Sequence, residues 1–259
     1  MQWEKEFEIA KVALFRAEEK VKGFFGNTGY IKDKGIMDPV TEADLESEKV
    51  IISTIRDHFP KDTIISEERG KEGGGSERVW IIDPLDGTIN FSHGFPLYGI
   101  SIAFEIEGKT VLGLVSLPYT NERFIAIKGK GAFLGKERIN VSEVSDLAHS
   151  LLATGFPYDI YEGNEEPFKI FYKVMKHVQG VRRPGSAAFD LCYVAKGIFD
   201  GFWEMGLRPW DTAAGALLVS EAGGMVSDFQ GNPFSPYSKS IIASNPYIYE
   251  GLIQIISSG

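Results

Sequence analysis

The chain has 259 residues, enough for one large domain or two ordinary ones, and its 43% hydrophobic and 24% charged content is typical of globular proteins. A net charge of −9 argues against nonspecific nucleic-acid binding, and the single cysteine, Cys192, excludes an internal disulfide and a cysteine-based zinc site. No apolar run reaches the length of a membrane span, and the N-terminus has no signal-peptide pattern. We therefore expect a cytoplasmic protein without a membrane or nucleic-acid partner.

Two amphipathic helices are predicted near the N-terminus. Apolar residues recur at three- and four-residue intervals over residues 3–21, and again over residues 45–59. The second helix starts at a capping-box pattern, Thr41-x-x-Asp44, so the simplest interpretation of both residues is structural. Between the two helices, residues 27–35 are predicted to form a mobile loop or a hairpin.

The stretch 79–90 contains an apolar strand that ends in two carboxylates, a Pro/Gly turn and a hydroxyl. The strand covers its first four residues, and Asp83 and Asp86 follow at a spacing that can bring both carboxylates to one point. They would repel each other there unless a cation lies between them. Gly87 and Thr88 can offer backbone N–H groups to an anion if a helix starts there. A strand and a type I turn, with Asp86 as a helix cap, explain the same residues, so this stretch alone does not decide between structure and metal-assisted phosphate chemistry.

A second predicted strand also ends in carboxylates. Residues 63–66 are a short apolar strand, and Glu67 and Glu68 follow it directly. A Gly-rich loop over residues 69–77 then leads to the strand described above. If the two strands are neighbours in one sheet, Glu67 falls within one metal cluster with the two aspartates.

The rest of the first half is rich in predicted strands, whereas the second half alternates strands and helices. An antiparallel meander is predicted over residues 98–134, and a boundary near residue 138 divides the chain into domains 1–138 and 139–259. An acid in the first turn of a predicted helix, Asp211, is interpreted most simply as a cap. In the second half we predict strands at 151–154, 201–204, 225–227 and 240–243, and helices at 165–178, 189–196 and 209–223.

Several short motifs, taken in order, resemble the inositol monophosphatase family. They are Thr41-x-x-Asp44, Glu67-Glu68, Asp83-Pro84-Leu85-Asp86-Gly87-Thr88, Gly185-Ser186-Ala187-Ala188, Trp203-Glu204-Met205-Gly206, Trp210-Asp211-Thr212-Ala213-Ala214-Gly215 and Glu221-Ala222-Gly223-Gly224. The resemblance covers nearly the whole chain, and the ordered set is far more specific than one D-P-x-D-G-T motif. It implies a five-layer αβαβα sandwich, with an α+β half followed by an α/β half.

The resemblance also implies a magnesium site. By matching motif positions, Glu67, Asp83 and the Leu85 carbonyl would hold one Mg²⁺, and Asp83, Asp86 and Asp211 would hold a second. Some family members bind a third, weaker Mg²⁺ near the position of Glu67, and Mn²⁺ is an alternative ion. Carboxylate and carbonyl oxygens are the hard ligands that Mg²⁺ prefers.

Catalytic and substrate roles follow from the same resemblance. Thr88, with Thr41 and Asp44 behind it, would position and deprotonate the attacking water, and Glu67 joins them as a catalytic residue. Arg182-Arg183 and Tyr158 are further candidates, with Arg183 placed to meet a second substrate phosphate, and Lys32 and Lys34 both remain candidates for a lysine of the family. The implied substrate contacts are Asp86, Gly87, Thr88, Arg183, Gly185, Ser186, Ala187, Glu204 and Asp211.

The resemblance implies a Mg²⁺-dependent phosphomonoesterase for inositol monophosphate, fructose 1,6-bisphosphate or both. We expect direct attack by a water activated at the metal ions, lithium sensitivity and a homodimer. A phosphatase of the haloacid dehalogenase type is disfavoured, because two residues rather than one separate the aspartates. Two alternatives stay open: a phosphatase for 3′-phosphoadenosine compounds or the 2′-phosphate of NADP on the same fold, and a regulatory, RNA-polymerase-associated module.

Overall fold

The computed structural model describes residues 2–27, 30–35, 38–157, 160 and 163–257. The helices are α1 (Glu4–Phe24), α2 (Glu42–Arg56), α3 (Thr88–Ser92), α4 (Glu166–Met175), α5 (Ala187–Ala195), α6 (Pro209–Glu221) and α7 (Tyr249–Ser257). The strands are β1 (Tyr30–Gly35), β2 (Asp38–Thr41), β3 (Thr63–Ser66), β4 (Gly70–Glu72), β5 (Arg78–Asp86), β6 (Gly99–Ile106), β7 (Lys109–Leu117), β8 (Glu122–Ile127), β9 (Gly131–Leu134), β10 (Glu137–Ile139), β11 (Leu151–Thr154), β12 (Gly180–Arg182), β13 (Gly201–Met205), β14 (Met225–Ser227) and β15 (Ser240–Ser244).

The strands form two large sheets and a hairpin. The eight-stranded sheet has the order β10-β9-β8-β7-β6-β5-β3-β4, and the five-stranded sheet has the order β12-β11-β13-β15-β14. The first two strands, β1 and β2, pair with each other as an antiparallel hairpin. Of the two predictions for the segment before α2, the hairpin is therefore correct.

Three apolar clusters hold the layers together. One joins α1 and α2 to the outer face of the eight-stranded sheet, through residues such as Trp80 and Ile82. A second joins the opposite face, including Ile81, to α5, α6 and the inner face of the five-stranded sheet. The third packs α4 and α7 on that sheet's outer face, where Trp203 lies. The order is helix, sheet, helix, sheet, helix, which confirms the predicted αβαβα sandwich.

Both faces of β5 are covered by helices, which explains why its sequence is a continuous apolar run rather than an alternation. It runs parallel to β3, with Ser66 opposite Ile82, so the two strands end at the same edge of the sheet. The N–H of Glu67 donates to the Ile82 carbonyl at 3.3 Å. The two strands that end in carboxylates are therefore neighbours in one sheet, which was the condition for placing Glu67 close to the two aspartates.

The end of β5 differs from the prediction. The strand does not stop at Ile82 but continues to Asp86, because Asp83 pairs with Ser101 and Asp86 with Gly99. Between these two pairs β5 advances by three residues, whereas β6 advances by two. Strand β5 therefore has one extra residue there, as in a β-bulge. A bulge also accommodates a proline, which is why the sequence pattern was mistaken for a turn.

Other elements also depart from the predictions. The loop predicted over residues 69–77 contains β4, and the segments 135–150 and 179–188, for which no strand was predicted, contain β10 and β12. The C-terminal helix α7 was not predicted at all. The division into domains near residue 138 stays a prediction, and the apolar cluster around α5 and α6 includes residues from both sheets. None of the helices in the described ranges has the length and apolar character needed to cross a bilayer.

Helix α6 packs very closely on the eight-stranded sheet. A Cβ atom added at Gly113 in β7 would lie 2.8 Å from the carbonyl oxygen of Ala214 and 3.0 Å from its Cα. A Cβ atom at Gly215 would lie 2.5 Å from Leu191 of α5. The small residues of α6 thus permit close packing, because neither contact leaves room for a larger side chain.

We predict that Gly113→Ala lowers the free energy of unfolding by about 1–3 kcal/mol, the usual cost of overpacking a core. The matched control is Gly23→Ala in α1, where the added Cβ meets no atom within 4 Å. That change should leave stability equal or raise it by about 0.5–1 kcal/mol, because alanine favours a helix over glycine. Thermal unfolding of both variants measures the difference, and equal melting temperatures would contradict the close approach of α6.

Candidate active site

One pocket collects acidic side chains from both halves of the chain, at the edge where β3 and β5 end. The pocket also contains the bulge in β5. In a regular strand, Asp83 and Asp86 would point to opposite faces because they are three residues apart, and the extra residue of the bulge brings them to the same side. The predicted site residues that line the pocket are Glu67, Asp83, Leu85, Asp86, Gly87, Thr88, Arg183, Gly185, Ser186, Ala187, Glu204 and Asp211.

Asp83 lies at the bottom of this pocket and is only 1% exposed. Burial raises the pKa of its carboxyl well above the usual value, and the negative charges of Glu67, Asp86 and Asp211 raise it further. Its Oδ1 accepts a hydrogen bond from the N–H of Leu85 at 3.0 Å, which orients the side chain. The surrounding protein therefore disfavours the ionised form of Asp83.

Asp86 is held by the start of α5. The hydroxyl of Ser186 and the N–H of Ala188 both donate to Oδ2 of Asp86, at 2.5 and 2.7 Å. Burial raises the pKa of Asp86 to about 6, although these hydrogen bonds work in the opposite direction. The same Ser186 hydroxyl accepts from the N–H of Phe189, so this serine caps α5 and fixes the aspartate at once.

Asp211 reaches the pocket from the first turn of α6. Its Oδ2 accepts from the N–H of Arg208 at 2.6 Å, so the predicted capping role is present. Burial raises the pKa of Asp211 well above the usual value, with the charges of Asp86, Glu67 and Glu204 adding to the effect. One carboxylate thus both caps a helix and faces the pocket.

A chain of hydroxyl and carboxylate groups runs behind the pocket. The Thr88 hydroxyl lies 2.9 Å from Oδ1 of Asp44 and 2.9 Å from the carbonyl oxygen of Leu85. Oδ2 of Asp44 accepts from both the N–H and the hydroxyl of Thr41. Both Thr41 and Asp44 are fully buried, and they form the predicted capping box of α2. Thr41 and Asp44 therefore cap α2, as the structural interpretation predicted, and Asp44 also contacts Thr88, which lines the pocket.

The helix that the phosphate interpretation required does begin at Thr88. It is the single turn α3, preceded by Gly87 with a φ of 84°. A Cβ atom at Gly87 would approach the Leu97 carbonyl oxygen at 3.1 Å and Ser186 at 3.2 Å, so only glycine fits both the conformation and the space. The Asn90 side-chain amide joins α3 to the opposite wall by donating to the carbonyls of Leu97 and Pro184, at 2.6 and 2.8 Å.

Two residues that support the acidic loops were missed in the sequence. The Ser47 hydroxyl donates to the carbonyl of Pro84 at 2.7 Å, next to the bulge in β5. The buried Glu48 carboxylate accepts from the N–H groups of Glu68 and Arg69, at 3.1 and 3.2 Å. Their spacing from Asp44 was a usable signal, because polar residues three and four apart lie on one face of a helix.

The opposite wall of the pocket contains a second group of charged residues. Glu204 on β13 is 8% exposed, and burial raises the pKa of its carboxyl to about 8. Asp190 on α5 also lines the pocket and was not predicted as a site residue. Arg183 lies nearby and lowers the pKa of both acids, although burial outweighs it. An acid within the apolar run of α5 was the signal that could have identified Asp190.

The donor set of the pocket fits a divalent cation in its chemistry. The carboxylates of Glu67, Asp83, Asp86 and Asp211, with the Leu85 carbonyl, supply only hard oxygen ligands. A cation would also relieve the repulsion among these buried acids. Within the described residues, no group of three or more His, Cys, Asp or Glu side chains is arranged to hold a metal ion. The fit is therefore one of donor type and position, not of a preformed cage.

The sequence analysis named further candidates, of which Arg182 does not line the pocket. Arg182 is exposed, and its guanidinium donates to the neighbouring carbonyl of Val181 at 3.2 Å. Tyr158 lies outside the described residues, as do the side chains of Lys32 and Lys34. Of the two adjacent arginines, Arg183 lines the site.

Comparisons with known proteins agree with this geometry. The family model "Inositol monophosphatase family" matches residues 2–258. The Escherichia coli (strain K12) protein named "Nus factor SuhB" is 46% identical over 221 residues, which cover 85% of this chain and 83% of the relative.

Two solved structures are similar over nearly their whole length. The extragenic suppressor protein suhB from Bartonella henselae has a TM-score of 0.93 at 38% identity, covering 98% of this chain and 99% of that one. The inositol monophosphatase from Anabaena (Nostoc) sp. PCC 7120 has a TM-score of 0.90 at 38% identity, covering 99% and 96%. By the match of its family model over almost every residue, the chain belongs to the inositol monophosphatase family.

Proposed function

We propose that this protein is a Mg²⁺-dependent phosphomonoesterase for small polyol phosphates, with inositol monophosphate and fructose 1,6-bisphosphate as candidate substrates. Membership of a phosphatase family makes a phosphate ester the starting point. The observation that carries the proposal is the pocket itself, where four carboxylates lie beside a threonine that is hydrogen-bonded to a buried aspartate. Acidic metal ligands next to a positioned hydroxyl suit metal-assisted hydrolysis.

The cation would be held by the acids at the end of β3 and β5. We assign Glu67, Asp83 and the Leu85 carbonyl to one Mg²⁺, and Asp83, Asp86 and Asp211 to a second. A third, weaker ion would lie near Glu67, and Mn²⁺ would be an alternative ion. When bound, these ions would neutralise the carboxylates and stabilise the charge that develops on the phosphate and on the leaving oxygen.

The proton of the attacking water would leave through Thr88. Its hydroxyl lies 2.9 Å from Oδ1 of Asp44, so a proton taken up at Oγ1 can be balanced by one passed to Asp44. Thr41 holds the other carboxylate oxygen with two donors, which keeps Oδ1 directed at Thr88. In this assignment Asp83 and Asp86 bind metal and do not act as nucleophiles.

We propose that the substrate contacts the pocket wall that contains Glu204 and Arg183, and the turn that precedes α5. Gly87, Gly185, Ser186, Ala187 and Glu204 line the pocket, and we assign them to contacts with the phosphate or the alcohol of the substrate. Arg183 is the cation on that side. We also propose a homodimer and sensitivity to lithium, both from the family resemblance.

A second candidate function is a regulatory one, and it is suggested by the names of the relatives. The Escherichia coli relative and that of Vibrio cholerae, each 46% identical, are both named "Nus factor SuhB". A regulatory, RNA-polymerase-associated role, which the sequence left open, is therefore compatible with a phosphatase fold. An enzyme variant without hydrolytic activity that still binds bacterial RNA polymerase would support a separate regulatory role.

We predict that hydrolysis requires a divalent cation. Phosphate release should be measured from inositol 1-phosphate, fructose 1,6-bisphosphate, 3′-phosphoadenosine 5′-phosphate and NADP, with Mg²⁺ and with EDTA. Chelation should abolish release and added Mg²⁺ should restore it, because the crowded acids need a counter-charge. Full activity after EDTA treatment would remove the metal assignment, and activity on the nucleotides alone would favour the nucleotide phosphatase alternative.

We predict that Asp83→Asn lowers kcat/KM by more than about a hundredfold, since loss of groups that only support metal ligands already costs about 10–100-fold. The fold should survive with an unchanged or higher melting temperature, because the amide removes one of several repelling charges. Arg183→Ala is the comparison variant and should lose less activity. Similar losses in the two variants would contradict this ranking of the site residues.

We predict inversion of configuration at phosphorus, since a single in-line attack by water inverts it whereas two displacements through an aspartyl phosphate retain it. A substrate made chiral at phosphorus by isotopic labelling reports the outcome. Thr88→Ala should lower kcat more than it raises KM, because positioning of water matters mainly in the transition state. Thr88→Ser keeps the hydroxyl and serves as the matched control. Retention of configuration, or equal losses in the two variants, would count against the assigned role of Thr88.

A further inference from the structure

Glu67 differs from the other proposed metal ligands in the kind of element that carries it. The others belong to strand β5 or helix α6, whereas Glu67 lies in the short turn between β3 and β4. A side chain on a turn is placed less precisely than one on a strand or a helix, unless neighbouring groups fix the turn. The geometry of the site therefore depends on what holds the backbone around Glu67.

The carboxylate of Glu48, on α2, holds this turn. Its Oε1 accepts from the N–H groups of Glu68 and Arg69, at 3.1 and 3.2 Å, and its Oε2 accepts from Nε of Arg69 at 3.1 Å. The N–H of Glu67 itself donates to the Ile82 carbonyl at 3.3 Å. The backbone of Glu67 is thus fixed on both sides, to the end of β5 by its own N–H and to α2 by the N–H that follows.

The position of Glu48 in α2 also points to the site. Glu48 is only 1% exposed, and because burial of a charge is costly, the packing of α2 does not by itself account for a carboxylate there. Asp44 and Ser47 lie on the same face of the helix and are buried as well. Asp44 accepts from the hydroxyl of Thr88, and Ser47 donates to the carbonyl of Pro84. One turn of α2 therefore holds three segments of the site: the start of α3, the bulge in β5 and the turn after β3.

We propose that Glu48 is a positioning residue that keeps the carboxylate of Glu67 where it can bind one Mg²⁺ together with Asp83. This role rests on the proposed metal-dependent function, and Glu48 would act through the backbone of the turn, without touching the ion. Mg²⁺ requires a nearly ideal octahedral set of ligands, whereas Ca²⁺ accepts a flexible arrangement. A turn that α2 no longer holds should therefore lose more affinity for Mg²⁺ than for Ca²⁺.

Two variants separate the reach of the Glu48 side chain from its charge. Glu48→Asp keeps the charge, but its side chain is shorter by a methylene group and no longer reaches the turn from the same backbone position. It should lower the Mg²⁺ affinity about 10–100-fold, the usual cost of losing a group that supports a metal ligand, and the Ca²⁺ affinity by less. Glu48→Gln is neutral but keeps an oxygen that can accept from the two N–H groups, so it should retain most of the Mg²⁺ affinity.

The measurement is calorimetric titration of the full-length protein with Mg²⁺ and with Ca²⁺, after EDTA treatment and without substrate. Ile55→Val is the matched control, because Ile55 is a fully buried residue of the same helix that packs in the apolar cluster of α1 and α2. It should lower the melting temperature without changing the ratio of the two affinities. Thermal unfolding checks that each variant is folded, and Glu48→Ala, which also lacks the contact, replaces an aspartate variant that is not.

The possible outcomes separate this role from the proposed function. If Glu48→Asp binds both ions as the unmodified protein does, Glu48 does not position Glu67, and the metal-dependent function stands. A loss in Glu48→Gln that equals or exceeds the loss in Glu48→Asp would also overturn the inference, because charge rather than reach would then matter. If the unmodified protein binds Mg²⁺ but hydrolyses no phosphate ester, the proposed function fails and the affinities still decide the role of Glu48. An unmodified protein that binds neither ion would refute both.

Discussion

Carboxylates that are shielded from solvent repel one another strongly, and six of them line a single pocket in this protein, each wholly or partly buried. Three of them, all aspartates, are held there by hydrogen bonds from fixed groups: the N–H of Leu85 on Asp83, Ser186 and Ala188 on Asp86, and the N–H of Arg208 on Asp211. Even so, burial and mutual repulsion leave the pKa values of all three aspartates raised. The architecture therefore places negative charge where a bound cation would be favourable, and the loops around the pocket serve that placement.

The middle helix layer connects this site to the core. Helices α5 and α6 fill the space between the two sheets, and the first turn of each supplies polar groups to the pocket. Close packing there, as at Gly113 against Ala214, fixes the helix positions and so the directions of their N-terminal groups. The packing that stabilises the sandwich therefore also positions the residues that line the site.

Several residues have a structural role and a place at the site at the same time. Thr41 and Asp44 form the capping box of α2, and Asp44 also accepts a hydrogen bond from the hydroxyl of Thr88. Asp211 caps α6, and Ser186 caps α5 while it donates to Asp86. A cap orients a side chain toward the start of its helix, so a pocket where several helices begin gains positioned polar groups with no additional support. The sequence left open whether these residues are helix caps or site residues, and in the structure the two roles coexist.

The ordered short motifs of the sequence by themselves determined the family, because such motifs are local properties, and the resemblance in turn implied the layered fold and most of the acids of the pocket. Tertiary structure alone decided that β5 continues to Asp86, since that depends on the pairing of Asp83 and Asp86 with β6. Strand β4 has no apolar alternation and exists through its pairing with β3, and the apolar residues of α7 suit a buried strand as well as a helix. The acid in the apolar run of α5 is visible in the sequence, but only the tertiary structure shows that Asp190 lines the pocket, because contacts between distant segments leave no pattern in neighbouring residues.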